Sequence, residues 1–319
     1  MSVVIPVLDA EMTIRGCIDS LLSQTIRVSE IIAIDSGSTD GTLEILSRYP
    51  EVRVISIPAS SFNHGETRNA GVRAATGEWV LLTVGDARAA DDRAIENLLA
   101  GVLDDKVVAV CGKQIVPAST ATNPAEWFNP VSAPRMERFQ FAGPEEFDAL
   151  ASHEKVNACG WDDVCALYRR DVLLRIPFRP TVFGEDALWA KDALRAGLAL
   201  VYNPDATVFH SHIETADYVY ARTMASICLR YSAFGHVYHR PEIIGPLLRL
   251  CARILMEQSL TLYERVKWIN HNVKNRLALR SAIDDFNRAL SAGPQSADGT
   301  CAKYSARPPV PSRLRRPQA

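Results

Sequence analysis

Along the first third of the chain, short β-branched runs alternate with amphipathic stretches. Residues 3–7, 30–34, 52–57, 79–84 and 107–110 are near-continuous apolar runs, as strands buried on both faces would be. Between them, residues 12–22, 39–49, 67–75 and 91–103 place apolar side chains three and four apart. That alternation predicts βαβ units: a Rossmann-like, mainly parallel α/β sheet covered by helices. In such a sheet ligands bind beyond the carboxyl ends of the strands, where Asp9, Asp35 and Asp86 follow three of the runs.

Residues 116–157 are richer in Pro, aromatic and charged positions and weaker in periodicity, so a long excursion near the site is expected there, suited to an acceptor. Regular patterning resumes near Val164. Residues 184–197 read as a helix with Glu185 and Asp186 in its first turn, and residues 200–202 and 207–209 as two short strands. From Thr215 the pattern is helical to about Leu290, with basic side chains set among apolar ones; the Pro- and Arg-bearing end is expected to be disordered. The expected division is a catalytic domain over 1–214, a helical extension over 215–291 and a tail over 292–319.

Composition narrows the function class. At 319 residues and 47% hydrophobic, the chain can bury a large core, and a formal net charge of −2 does not suit nucleic-acid coating. Seven cysteines without a C-x-x-C pair suit a reduced, cytoplasmic setting. Apolar runs fall short of the ~20 residues of a membrane span, and Val3, Val4 and Ile5 lead into Pro6 as a strand rather than a signal sequence.

Candidate chemistry collects in five places. Asp35-Ser36-Gly37-Ser38-Thr39-Asp40-Gly41 puts a carboxylate at a strand tip, where it can meet a nucleobase or ribose; the same residues also suit helix capping. Thr83-Val84-Gly85-Asp86 offers Asp86 to a diphosphate-bound cation. Phe209-His210-Ser211-His212 sets two imidazoles at alternate positions, and imidazole beside carboxylate suits Mn²⁺ better than Mg²⁺. Glu185-Asp186 can supply a base for an acceptor hydroxyl or answer the helix dipole. Asn63, His64 and Arg68 crowd a loop-to-helix junction suited to phosphate.

Taken in order, IPVLDAEMTI, IDSGSTDGT, FNHGETRNAG, the GDA after the fourth run, and GEDALWAKDALRAG with HSH resemble family 2 glycosyltransferases of the GT-A fold. The rhamnosyltransferase-like branch is the nearest likeness, through Asp35-Ser36 and FNHG. The resemblance implies sugar transfer from a nucleotide-sugar donor to a saccharide or lipid-linked acceptor. It further implies inversion and a divalent cation (Mn²⁺ or Mg²⁺). The cysteines suit a cytoplasmic location, and the basic side chains bordering an apolar stripe after Thr215 suit peripheral contact with the inner membrane or, equally, domain packing or dimerisation. The resemblance places Pro6, Asp35, Arg68, Asn69 and Asp86 at the donor, Asp86 with His210 or His212 on the metal, Asp186 as base, and Asn63, His64, Glu185 and Trp189 at the acceptor. Val84 stands where the family's metal motif has its first acid. The rival readings are a sugar nucleotidyltransferase, for which residues 6–13 lack a Gly-rich basic loop, and a non-catalytic sugar-nucleotide-binding subunit.

Overall fold

The computed structural model describes residues 1–119, 121–128, 133–181 and 183–305. The chain divides into two compact units, Met1–Ile115 with Val131–His210, and Val116–Pro130 with Ser211–Ala319.

In the first unit, strands β1 (Ser2–Val7), β2 (Glu30–Asp35), β3 (Val52–Ser56) and β4 (Trp79–Thr83) alternate with helices α1 (Ile14–Leu22), α2 (Thr42–Leu46) and α3 (His64–Ala74). They form the parallel block β3-β2-β1-β4. β1 is paired on both edges and covered on both faces, which is why Val3, Val4 and Ile5 are all fully buried instead of alternating. At Gly71 of α3 a Cβ would meet Val4 Cγ1 at 2.3 Å, so the helix lies directly on the sheet only because that position is glycine.

Beyond β4 the sheet changes character. β5 (Arg88–Ala89), α4 (Ala94–Ala100) and β6 (Val107–Ile115) precede the second unit's α5 (Pro124–Phe128); back in the first unit come β7 (Glu137–Phe139), α6 (Pro144–Ala149) and α7 (Ser152–Ala158), then β8 (Cys165–Arg169), α8 (Arg170–Arg175), α9 (Glu185–Arg195) and β9 (Ala199–Phe209). β8 runs antiparallel to both β4 and β6, while β6 and β9 are parallel. The α/β class is as expected, with a larger antiparallel share than the βαβ reading alone suggests. The two short strands expected over residues 200–209 are one strand, β9, whose ladder with β6 shifts register between Cys111 and Lys113, opposite the stretch holding Pro204. A core cluster of this unit includes Ile5, Ile14, Ile18, Ile31, Ile95 and Leu167, and Val4, Ile32, Tyr168 and Trp189 are fully buried outside it.

The second unit contains α10 (Ala216–Phe234), α11 (Ile244–Met256), α12 (Leu262–Ser291) and α13 (Pro294–Ser305). Two expectations change here. The excursion from residue 116 is split: Ala125 and Trp127 pack with Leu250, Ile254, Leu260 and Trp268, and the Asn123 and Asn272 amides bond reciprocally at 3.1 and 2.8 Å. Part of the expected tail is ordered, because α13 buries Ala297 and Cys301 against Met224 and Phe286. The tail expected over 306–319 lies outside the described residues.

Candidate active site

The loops after β1 and β2 are tied to each other. Asp9, at φ 46°, accepts from Thr39 N at 2.7 Å, Glu11 Oε2 accepts from Gly41 N at 2.9 Å, and Asp40 Oδ2 accepts from Glu11 N at 3.1 Å. Asp35 ends β2 in a buried position and accepts from Gly37 N and Ser38 N, both at 3.1 Å. It therefore shapes its own turn, and a carboxylate with about four lone-pair sites retains capacity for a ligand. Half-buried Pro6 sits in β1 opposite Ile34, one residue from the Val7–Asp35 pair.

Helix α3 begins with a cap: Asn63 Oδ1 accepts from Glu66 N at 3.2 Å, so Asn63, expected at the acceptor, has a structural duty. A turn further on, Asn69 is buried and uses both arms of its amide on one residue, donating to Phe178 O at 2.9 Å and accepting from Phe178 N at 3.0 Å. It is a tether for the segment that leads into α9, not a donor contact. Trp189 is also a correction. Its ring is fully buried, donates to Ile176 O at 2.8 Å, and packs edge-on against Tyr168 at 4.8 Å, so it is core and cannot face an acceptor.

Between α3 and α9 lies a buried charge cluster. Arg68 donates through Nη1 to Glu185 Oε1, and its Nε is 3.0 Å from Asp163 Oδ2. His64 Nδ1 stands 4.0 Å from the same Glu185 oxygen. Asp186 is half-buried beside this group, accepting its following backbone amide, Ala187 N, at 2.7 Å. Burial, then the charges of Glu185 and Asp163, push the Asp186 carboxyl well above its usual range. Asp163 is pushed up to about 7, mainly by burial, with Arg68 opposing the rise. His64 moves down, because burial outweighs the pull of Glu185.

Asp163 belongs to this cluster and was not a sequence candidate. Its Oδ1 accepts from Tyr168 OH, which in turn accepts from Trp161 Nε1 at 2.7 Å. Strand polarity explains how it reaches the site. Residues before a parallel strand lie at the sheet's far edge, but β8 is antiparallel to β4 and pairs Cys165 with Thr83. The segment preceding it therefore meets the carboxyl end of β4, where Thr83 Oγ1 donates to Val164 O at 2.8 Å. The adjoining acids Asp162-Asp163 were the signal, legible only once that polarity is known.

Asp86 and His210 come together within the first unit, and His212 follows two residues on, in the second. His210 Nε2 is 3.5 Å from Asp86 Oδ1, and its Nδ1 lies 2.7 Å from Gln114 Oε1. An amide oxygen can only accept, so this contact places a proton on Nδ1 and turns Nε2, the ring atom a metal would take, toward Asp86. A carboxylate and an imidazole fixed in this tautomer fit a divalent transition metal such as Mn²⁺. Gln114 also bonds Asp162, which feels the charges of both His210 and Arg68.

Comparison with known proteins fits this layout. The profile of glycosyl transferase family 2 matches residues 2–176. The chain belongs to glycosyl transferase family 2. Among its relatives, the O-antigen chain rhamnosyltransferase RfbN of Salmonella typhimurium is 30% identical over 217 residues, covering 66% of each chain. The O-antigen chain rhamnosyltransferase WbaN of Salmonella anatum is 33% identical over 59% of this chain and 58% of its own length. The match thus spans less than two thirds of either relative. Two solved structures show the same GT-A fold. S. aureus TarS 1-349 in complex with UDP has a TM-score of 0.51 at 18% identity, over 96% of this chain and 90% of that one. Glucosyl-3-phosphoglycerate synthase from Mycobacterium tuberculosis, in complex with Mn²⁺, UDP and phosphoglyceric acid, also scores 0.51, at 19% identity over 76% and 81%. Among the described residues of this family 2 member, no helix is long and apolar enough to cross a membrane.

Proposed function

We propose that this chain transfers a sugar, with inversion, from a nucleotide-sugar donor to a hydroxyl of a saccharide acceptor. The observation that carries the reading is Asp186, a half-buried carboxylate of raised proton affinity beside the Arg68, Asp163 and Glu185 cluster. In the reaction, the acceptor oxygen bonds to the anomeric carbon as the carbon–oxygen bond to the diphosphate breaks. The acceptor proton passes to Asp186, and the nucleoside diphosphate leaves with the bonding pair.

The surroundings of Asp186 suit that task. A carboxylate whose proton affinity is raised by burial and like charge is a stronger base than one in water; the Ala187 amide and the Arg68 guanidinium oppose that rise. With two of its edges committed to carboxylates, Arg68 is assigned to holding Glu185 and Asp163 rather than the donor phosphate. Asp35 is assigned to the nucleoside and His64 to the acceptor. Asp86, His210 and His212 would hold the divalent cation, Mn²⁺ before Mg²⁺, whose chemistry is to neutralise the charge growing on the diphosphate.

The two Salmonella relatives support a rhamnosyl donor and a growing surface-polysaccharide acceptor. The test is to incubate the purified chain with a panel of nucleotide sugars and saccharide acceptors, and to read product stereochemistry by NMR. Inverted linkage, abolished in Asp186→Asn, is expected; retained configuration, or unchanged rate in that variant, would overturn the assignment.

A further inference from the structure

We infer that Asp162 and Gln114 act together as positioning residues for His210: the Asp162 carboxylate orients the Gln114 amide, whose oxygen holds the imidazole proton on Nδ1 and keeps Nε2 on the side of Asp86. All four residues belong to the first unit. Gln114 stands near the end of β6, opposite Val208 of β9, and the His210 backbone amide donates to Ile115 O at 3.2 Å, which fixes the imidazole's point of attachment beside Gln114. β8 runs antiparallel to β6, with Cys111 opposite Ala166, and this brings the segment preceding β8 alongside the carboxyl end of β6. Asp162 lies in that segment. Its Oδ1 accepts from Val164 N at 3.1 Å, and its carboxylate takes a second hydrogen bond from the Gln114 side chain. Burial raises the Asp162 carboxyl, and these two bonds to the ionised form oppose the rise.

An amide has two unlike ends and could turn either one to an imidazole. With its oxygen toward the ring, the ring must donate; with its NH₂ toward the ring, the ring must accept, and the proton moves to the other nitrogen. A carboxylate only accepts, so the bond to Asp162 takes the NH₂ end of Gln114 and leaves Oε1 for His210 Nδ1, 2.7 Å away. The order of donors and acceptors is thereby set from Asp162 through to Nε2, which lies 3.5 Å from Asp86 Oδ1. A ring with its one proton on Nε2 would have no lone pair to offer there, so the pair decides whether His210 can serve as a ligand at all. The next residue, Asp163, bonds Arg68 and Tyr168 instead, so adjacent carboxylates serve different halves of the site.

For its consequence the inference rests on the cation site proposed above, and two measurements separate the two. The tautomer is read without metal, from nitrogen-15 spectra of the histidine-labelled full chain at about pH 8, where an ordinary imidazole is neutral. An Asp86→Ala background removes the competing carboxylate, and His210→Gln assigns the signal. Nδ1–H is expected with Gln114 in place, giving way to Nε2–H in Gln114→Met and to a mixture in Asp162→Asn, whose amide no longer dictates which end of Gln114 it meets. With Asp86 intact, the affinity for Mn²⁺ alone is measured by calorimetry. It should fall about 10- to 100-fold in Gln114→Met and be kept in Gln114→Glu, which still offers an acceptor to Nδ1–H, with melting curves confirming that each variant folds. An Nδ1–H signal unmoved in Gln114→Met, or Mn²⁺ bound equally by that variant, would overturn the inference. A Gln114-dependent tautomer in a chain that binds no Mn²⁺ would uphold the pairing and remove the cation reading instead.

Discussion

At the scale of single residues, the charge balance around Arg68 sets the pH behaviour. Three carboxylates, Asp163, Glu185 and Asp186, share one guanidinium in a buried setting, and the carboxyl of Asp186 titrates well above its usual range. A base must be ionised to act, so kcat/KM should fall on acidification in a range displaced upward from ordinary carboxylates. The Asp163 charge raises the proton affinity of Asp186; Asp163→Asn should therefore move the acid limb to lower pH, and a pH–rate profile reads the shift. An unmoved limb would show that Asp163 only packs. Asp186→Asn should lower kcat by about 10²–10⁴ while nucleotide binding is kept, measured by calorimetry alongside turnover. Trp189→Ala should instead cost about 3–5 kcal/mol of stability, visible in denaturant melts, because the ring is core.

Among secondary-structure elements, the parallel block was legible because β1, β2 and β4 are buried on both faces and so leave continuous apolar runs. Acids at strand ends and at the start of α9 could be read the same way. Polarity could not. The pattern that makes β8 a strand is the same whichever way it runs, so Asp163 stayed hidden until its pairing with β4 was seen. Asn69 misled for another reason: an amide in a polar motif looks like a ligand contact, but its two arms are spent on Phe178. Asn69→Ala should cost about 1–3 kcal/mol by leaving those backbone groups unpaired, and loosen the segment leading into Asp186; a lower melting temperature together with reduced kcat is the expected outcome.

For the whole molecule, composition gave no support to nucleic-acid coating and said little about the second unit, where two separate small cores lie among the described residues. The Pro- and Arg-bearing end read as a tail from residue 292, and the burial of Ala297 and Cys301 marks α13 within it as structural. Truncation after residue 292 should therefore lower the melting temperature, whereas a disordered tail would be removed without effect. The central claim, that this family 2 chain takes a nucleotide sugar with a cation at Asp86 and a base at Asp186, is tested most directly by nucleotide binding. Thermal shifts would be measured with UDP, GDP, dTDP and CMP, each with and without Mn²⁺; a ligand at a hundred times its dissociation constant stabilises by about 2.7 kcal/mol. The account predicts a Mn²⁺-dependent shift with one nucleotide, lost in Asp86→Ala and kept in Asp186→Asn. No shift with any nucleotide, or an equal shift in Asp86→Ala, would contradict it.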